Sequence, residues 1–376
     1  MHPSLNRAGG AEKVCLQIIN ALSSAGYKVT LLTVDKTNWH LLADRCGIVP
    51  MPFRQLYLFE KMPVKNLYGQ AMLTFLLWYK LVLKMRSVKG VIFNTYGEFA
   101  DLMADICYVN ALPFRIHRLL ESQYSLVKCS ASRVYDLFLR ALDEHFRCGV
   151  LLVNSMFVKD AVQKFLGKNS IVVYPPVEVK KFEEVAASVD RENLVVTVSR
   201  FRREKNLGII PRIAKCVKEG EFLIIGVADA ASGGVIDWLM YEIKRFGVDD
   251  RVKLVVNPSF GEMVKCVGSA KLFLQTQFTE AFGMSVVEAM AAGCVPVVPR
   301  CGGPWFDILE QKQGVYGFSY GSVEEAANLI RMLLNDEKLR GEVVARARER
   351  VRVFDSSVFE RKILDVVDKV FKAKFE

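Results

Sequence analysis

Glu280 and Glu288 stand eight residues apart in the stretch Thr279-Glu280-Ala281-Phe282-Gly283-Met284-Ser285-Val286-Val287-Glu288, which runs on through Ala289-Met290-Ala291-Ala292-Gly293. An apolar strand candidate, 272–275, precedes it, and a helix candidate, 282–292, opens within it. A strand feeding a helix in this way leaves the first helical amides without intrahelical partners, at the positive end of the helix dipole. The N–H groups of Phe282, Gly283 and Met284 are therefore expected to form an anion site suited to a diphosphate. A carboxylate beside such a site can accept hydrogen bonds from sugar hydroxyls, so Glu280 is expected to hold a sugar and Glu288 a ribose. The spacing of two glutamates says little alone; the strand, loop and helix around them carry the reading.

A second constellation, Ser199-Arg200-Phe201-Arg202-Arg203-Glu204-Lys205-Asn206, follows the strand candidate 194–199. Ligands of open parallel sheets bind beyond the carboxyl ends of the strands. Four cations within six positions repel one another unless an anion joins them. Arg200 and Lys205 are expected to stabilise charge on a departing diphosphate, and thus to count with Glu280 as catalytic residues. Arg202 and Arg203 fit a solvated turn.

A third, Asn6-Arg7-Ala8-Gly9-Gly10-Ala11-Glu12, places paired glycines before a helix, where a ligand can approach the backbone closely. With Asp35 it also permits a dinucleotide-binding reading, although the glycine spacing departs from G-x-G-x-x-G. Gly302-Gly303-Pro304 has the same strand–loop–helix form and suits either a plain turn or part of a site.

Several chemistries find no footing. The sequence contains no D-x-D metal motif, H-E-x-x-H or P-loop, so neither a metal nor a tightly bound cofactor is expected. His2, His40, His117 and His145 lack ligand spacing. The nine cysteines are scattered without a C-x-x-C pair, which suits reduced thiols in the cytoplasm. The net charge of +10 is one-sided: residues 1–180 hold 22 Lys and Arg against 13 Asp and Glu, the remainder 29 against 28. A basic first half attracts anionic lipid or phosphorylated ligands. No nucleic-acid-binding pattern accompanies it. The apolar stretch 67–85 is interrupted by Gln70 and Lys80, so it is expected to be a buried or surface-lying helix and not a membrane span.

These residues must be positioned by alternating strands and helices. In the second half, apolar runs at 194–199, 222–226, 252–256, 272–275 and 295–298 alternate with helical patterns near 206–218, 234–246, 259–268, 282–292 and 303–310; residues 322–372 read as helical. Continuous apolar strands between helices indicate a parallel sheet covered on both faces. In the first half, strands are expected at 28–34, 90–94, 105–109, 150–153 and 171–174. A helix beginning at 10–12 lacks the strand that should precede it and lie mid-sheet, which reads as a truncated or misassigned start, the alternative being a domain that departs from this pattern. The division expected is 1–180, 190–354 and a closing helix over 355–376.

Ser199-Arg200, Glu204-Lys205-Asn206, Glu280-x7-Glu288 and Ala291-Ala292-Gly293-Cys294-Val295-Pro296 resemble glycosyltransferase family 4, a retaining family of GT-B architecture. His2-Pro3, Gly9-Gly10-Ala11-Glu12, Val153-Asn154-Ser155, Tyr174-Pro175-Pro176 and Gly302-Gly303-Pro304 are similar to one branch, which moves mannose from GDP-mannose onto dolichol-linked oligosaccharide.

The resemblance implies two Rossmann-like, doubly wound parallel-sheet domains facing a cleft, with a C-terminal helix crossing back to the first. It places Gly9 and Gly10 near the donor phosphates, Arg200 and Lys205 on the diphosphate, Glu280 on the sugar and Glu288 on the ribose. Asn110 stands where the branch carries a histidine against the donor sugar. The implied partners are a nucleotide-sugar donor, favouring GDP-mannose, and a polyprenyl-linked glycan acceptor. An anionic membrane surface, on the cytosolic face, completes the expectation. A family member using a UDP-sugar and a catalytically idle nucleotide-binding scaffold are the alternatives.

Overall fold

A computed structural model of the chain describes residues 1–47, 50–61, 90–96, 104–111, 149–228 and 232–376. The stretch 67–85, His117 and His145 lie outside the described residues. Two compact units form: Met1–Pro176 with Ser357–Glu376, and Val177–Ser356.

The second unit holds a six-stranded parallel sheet ordered β12-β11-β10-β7-β8-β9. Its strands are β7 (Glu192–Val198), β8 (Glu221–Gly226), β9 (Val252–Val256), β10 (Ala270–Leu274), β11 (Val295–Pro299) and β12 (Phe318–Tyr320). Central strands β10 and β11 are apolar and buried along almost their whole length, as a sheet covered on both faces requires. Helices Ile209–Cys216, Gly233–Arg245, Phe260–Ser269, Met284–Ala291, Val323–Asn335 and Glu337–Val351 connect and follow the strands. A core of side chains such as Phe222, Ile224, Leu272, Val297, Ile330 and Leu333 forms on the sheet. The helix expected near 303–310 is a short π-helical segment, Pro304–Ile308. From β7 the chain steps outward through β8 and β9, then returns to the other side of β7 for β10 and moves on through β11 to β12. The order therefore reverses between β7 and β10. That reversal leaves a crevice at the carboxyl ends of these two strands.

In the first unit, β1 (Thr30–Asp35) pairs with β2 (Arg54–Phe59). A separate sheet is ordered β3 (Phe93–Asn94), β4 (Ile106–Val109), β5 (Val150–Val153) and β6 (Ile171–Val172). Where a preceding central strand is expected, the first three residues run between the two sheets. The His2 N–H donates to the Leu32 carbonyl at 3.0 Å, and the Pro3 carbonyl accepts from Val34 N–H at 2.8 Å. On the other side, the Met1 carbonyl accepts from Thr95 N–H at 3.0 Å. Residues 1–3 thus bridge the two sheets. Beside them lies an apolar cavity of about 330 Å³, lined among others by Ile18, Leu22, Leu31, Ile92, Val367 and Phe371.

Helix α1 (Gly10–Ser24) buries Val14, Leu16, Ile18 and Ile19. The last helix, Ser356–Phe375, packs Phe359 edge-on against Tyr108 and pairs Glu360 with Gln17 and Lys374 with Asp105. Among the described residues no helix is long and apolar enough to cross a membrane.

Candidate active site

The two motifs meet at the reversal of strand order. Arg200 and Lys205 lie in the segment after β7, and Glu280 lies in the segment after β10, next to β7 in the sheet. The Lys205 ammonium donates to Glu280 Oε2 at 2.8 Å and also to Gln277 Oε1. Both partners of the ion pair are mostly shielded, with about a fifth of each side chain exposed. Burial alone would raise the Glu280 carboxyl. The charge and hydrogen bond of Lys205, together with the Arg200 charge, outweigh it and hold the group below its ordinary value. Glu280 is accordingly an ionised acceptor at neutral pH, and Arg200 is an exposed cation beside it.

The local chain geometry explains why these groups stay in register. Arg203–Lys205 forms a single 3-10 turn, closed by Asn206 in the left-handed region (φ +52°). Thr276 Oγ1 donates to the Lys205 carbonyl at 2.6 Å, and Tyr320 Oη donates to the Gln275 carbonyl at 2.8 Å. The polar run Gln275-Thr276-Gln277 is almost fully buried, and the bonds of the Thr276 hydroxyl and the Gln275 carbonyl offset part of the cost of that burial.

Helix Met284–Ala291 begins two residues later than the pattern over 282–292 suggests, so Phe282 precedes its N-cap. Its N-cap, Gly283, has φ +96°, a conformation L side chains rarely adopt, and a Cβ there would lie 2.9 Å from Pro304 Cγ. The side chain of Phe282 is core, 2% exposed and stacked edge-on against Phe354, so only its backbone is placed to serve a ligand. Glu288 is buried on this helix, roughly 6 Å along its axis from Met284.

Gly302 and Gly303 prove to be spacers. The Gly303 N–H donates to the Glu280 carbonyl at 2.8 Å, and a Cβ on Gly303 would fall 2.2 Å from the Ala281 carbonyl oxygen. This pair lets the segment after β11 press directly on the loop that carries Glu280. Arg203 is exposed, in keeping with a solvated turn.

In the first unit, Glu12 Oε2 accepts from the Gly9 N–H at 2.9 Å, and Glu12 Oε1 lies 3.6 Å from His2 Nε2. The Gly9 amide is therefore already committed to a carboxylate. Any anion at this helix must use the following amides, starting with Gly10. Asn110 donates through Nδ2 to the Thr95 carbonyl at 2.5 Å and accepts on its own carbonyl from Asn154 Nδ2 at 2.5 Å. Among the described residues no cluster of His, Cys, Asp or Glu could hold a metal ion.

Gln277 was not singled out by motif reading. The available signal was two glutamines flanking a threonine just past the end of an apolar strand, a place where polar side chains are costly unless they are used.

Residues 178–350 match the family described as glycosyl transferases group 1. The GDP-Man:Man(3)GlcNAc(2)-PP-Dol alpha-1,2-mannosyltransferase of Mus musculus is 26% identical over 98% of this chain and 86% of its own length. The enzyme of the same description from Dictyostelium discoideum is 28% identical over 56% of this chain. That alignment spans 44% of the Dictyostelium protein, so the matched part is about half of that relative. Among solved structures, Anabaena HepE, crystallised with UDP and glucose, superposes with a TM-score of 0.69 at 17% identity, covering 98% of both chains. Two parallel-sheet α/β units, with a cationic and a carboxylate loop meeting at the switch point of the second, define an α/β protein of the GT-B fold. Over residues 178–350 the second unit is therefore similar to the group 1 glycosyl transferases.

Proposed function

We propose that the protein transfers mannose from GDP-mannose, with retention at the anomeric carbon, to a glycan carried on a polyprenyl diphosphate at the cytosolic face of a membrane. The observation that carries this reading is the Lys205–Glu280 pair at the switch point of the second unit. The similarity to the mouse mannosyltransferase along nearly the whole chain supports the choice of donor and acceptor. In this reading the diphosphate lies against Arg200, Lys205 and the amides at the start of helix Met284–Ala291. Glu280 accepts from a hydroxyl of the transferred sugar, and Glu288 accepts from the ribose.

The bond between the anomeric carbon and the leaving phosphate oxygen breaks while the acceptor oxygen bonds to the same face of that carbon. The acceptor proton passes to the departing phosphate oxygen, so no enzyme nucleophile is needed. Arg200 and Lys205 stabilise the charge that develops on the diphosphate, and fixed cations in a shielded site do this without reorganising. No metal is assigned a role.

Thermal denaturation in the presence of GDP, GDP-mannose, UDP, UDP-N-acetylglucosamine and NADH tests the reading. A ligand at a hundred times its dissociation constant adds about 2.7 kcal/mol. Stabilisation by GDP and GDP-mannose, followed by transfer of labelled mannose to a dolichol-linked glycan, is the expected result. Stabilisation by the UDP compounds alone would replace the donor. A sharp melt that none of them moves would favour the idle scaffold.

A further inference from the structure

We infer that Gln277 is a specificity-determining residue of the donor site, using its carboxamide oxygen to hold Lys205 and its NH2 group to bind an oxygen of the transferred sugar. The inference rests on the reading of Lys205 and Glu280 as donor-binding groups.

The orientation of the amide follows from chemistry. An ammonium group has only donors to offer, so the atom of Gln277 that meets Lys205 Nζ must be Oε1. The NH2 group is then turned away from the lysine. Gln277 is only 7% exposed, yet its Nε2 makes no hydrogen bond to any described residue and is not sealed from solvent. A donor left unpaired in an otherwise buried side chain is costly unless water or a ligand completes it. The backbone on which Gln277 sits is stitched down on both sides. Tyr320 bonds the Gln275 carbonyl, and Thr276 reaches both ways, its hydroxyl to the Lys205 carbonyl and its own carbonyl accepting from Asn206 Nδ2 at 3.4 Å.

Glu280, three residues on, shares the same ammonium. Lys205 therefore carries on one side a pure acceptor, the Glu280 carboxylate, and on the other a residue with an outward-facing donor. A sugar hydroxyl can both donate and accept. This pairing reads such hydroxyls in two senses and penalises a sugar that lacks the matching oxygen, since the amide is then left unsatisfied.

The test is a binding comparison on the full chain, using isothermal titration with GDP and with GDP-mannose for wild type, Gln277→Met and Gln277→Glu. Each variant is first checked for a melting temperature within a few degrees of wild type. In Gln277→Met, Lys205 keeps Glu280 but loses the amide. In Gln277→Glu the lysine keeps an acceptor, while the outward donor is lost. The readout is the ratio of the two dissociation constants, in which a general effect of charge on the diphosphate cancels. Both variants are expected to lower the preference for GDP-mannose over GDP by about tenfold. If Gln277→Glu restores the wild-type ratio, Gln277 serves only to hold Lys205, and the inference is overturned. An unchanged ratio in Gln277→Met overturns it as well. Wild type that binds GDP without any gain from the sugar would overturn the inference while leaving a nucleotide site. Wild type that binds no nucleotide at all would overturn the underlying functional reading with it.

Discussion

Gly303 offers a way to move the loop that carries Glu280 without touching the Lys205–Glu280 pair itself. A Cβ added there would lie 2.2 Å from the Ala281 oxygen and 2.7 Å from both the Ala281 carbonyl carbon and the Phe282 Cα. All three are backbone atoms, so no flexible side-chain end can swing aside. Relief requires the two segments to part by about 1 Å, since non-bonded heavy atoms settle no closer than roughly 3.2 Å. The Lys205–Glu280 contact is 2.8 Å, and a displacement of that size carries it outside hydrogen-bonding range. Gly303→Ala should therefore destabilise by about 1–3 kcal/mol, the usual cost of overpacking, lowering the melting temperature of a unit this size by about 2–12 °C. Transfer should fall about a hundredfold, because a misplacement of about 1 Å is enough to spoil alignment. Calorimetry and a mannosyl-transfer assay on the same preparation read both effects. Gly261→Ala is the control: it lies in a helix with open space around its Cβ position, and should be neutral or stabilising by up to about 1 kcal/mol. If Gly303→Ala melts within a degree of wild type and turns over normally, the loops are not held as tightly as the geometry implies.

Replacing Lys205 or Glu280 by Ala should reduce transfer by about 10²–10³-fold with the circular dichroism spectrum unchanged, whereas Arg203→Ala should be near wild type; normal rates in the first two would remove these residues from the mechanism. The Glu280 carboxyl is held low despite its burial, by Lys205 and then Arg200, so its contribution to stability is complete above the unfolded carboxylate value, near 4.3, and is lost as pH falls through the lower folded value. The melting-temperature gap between wild type and Glu280→Gln should hold constant from pH 8 to about pH 5 and close only on further acidification; a gap already gone at pH 6 would contradict the depressed value.

Strands β7 to β11 of the second unit were legible because each is a nearly unbroken apolar run between helical patterns; β10 and β11 are buried on both faces and carry almost no polar side chains. Strand β12 was missed because three residues, Phe318-Ser319-Tyr320, are too short to show a period. Strand β2 was missed because Arg54–Phe59 is a mostly exposed edge that mixes polar and apolar residues. Both become strands only because a neighbour is already in place to pair with them.

For the site, residue types and local order were enough to mark Arg200, Lys205, Glu280 and the glycine at the start of helix Met284–Ala291, since a cation cluster and a strand–loop–helix turn declare themselves within a dozen residues. That Lys205 and Glu280 touch is not a local fact. They are separated by 75 positions and meet because the chain places β10 beside β7, a choice made by packing across the whole sheet. The burial of Gln277 and the direction of its amide were likewise decided there, because only the folded structure places an ammonium against one end of that side chain and leaves the other end open.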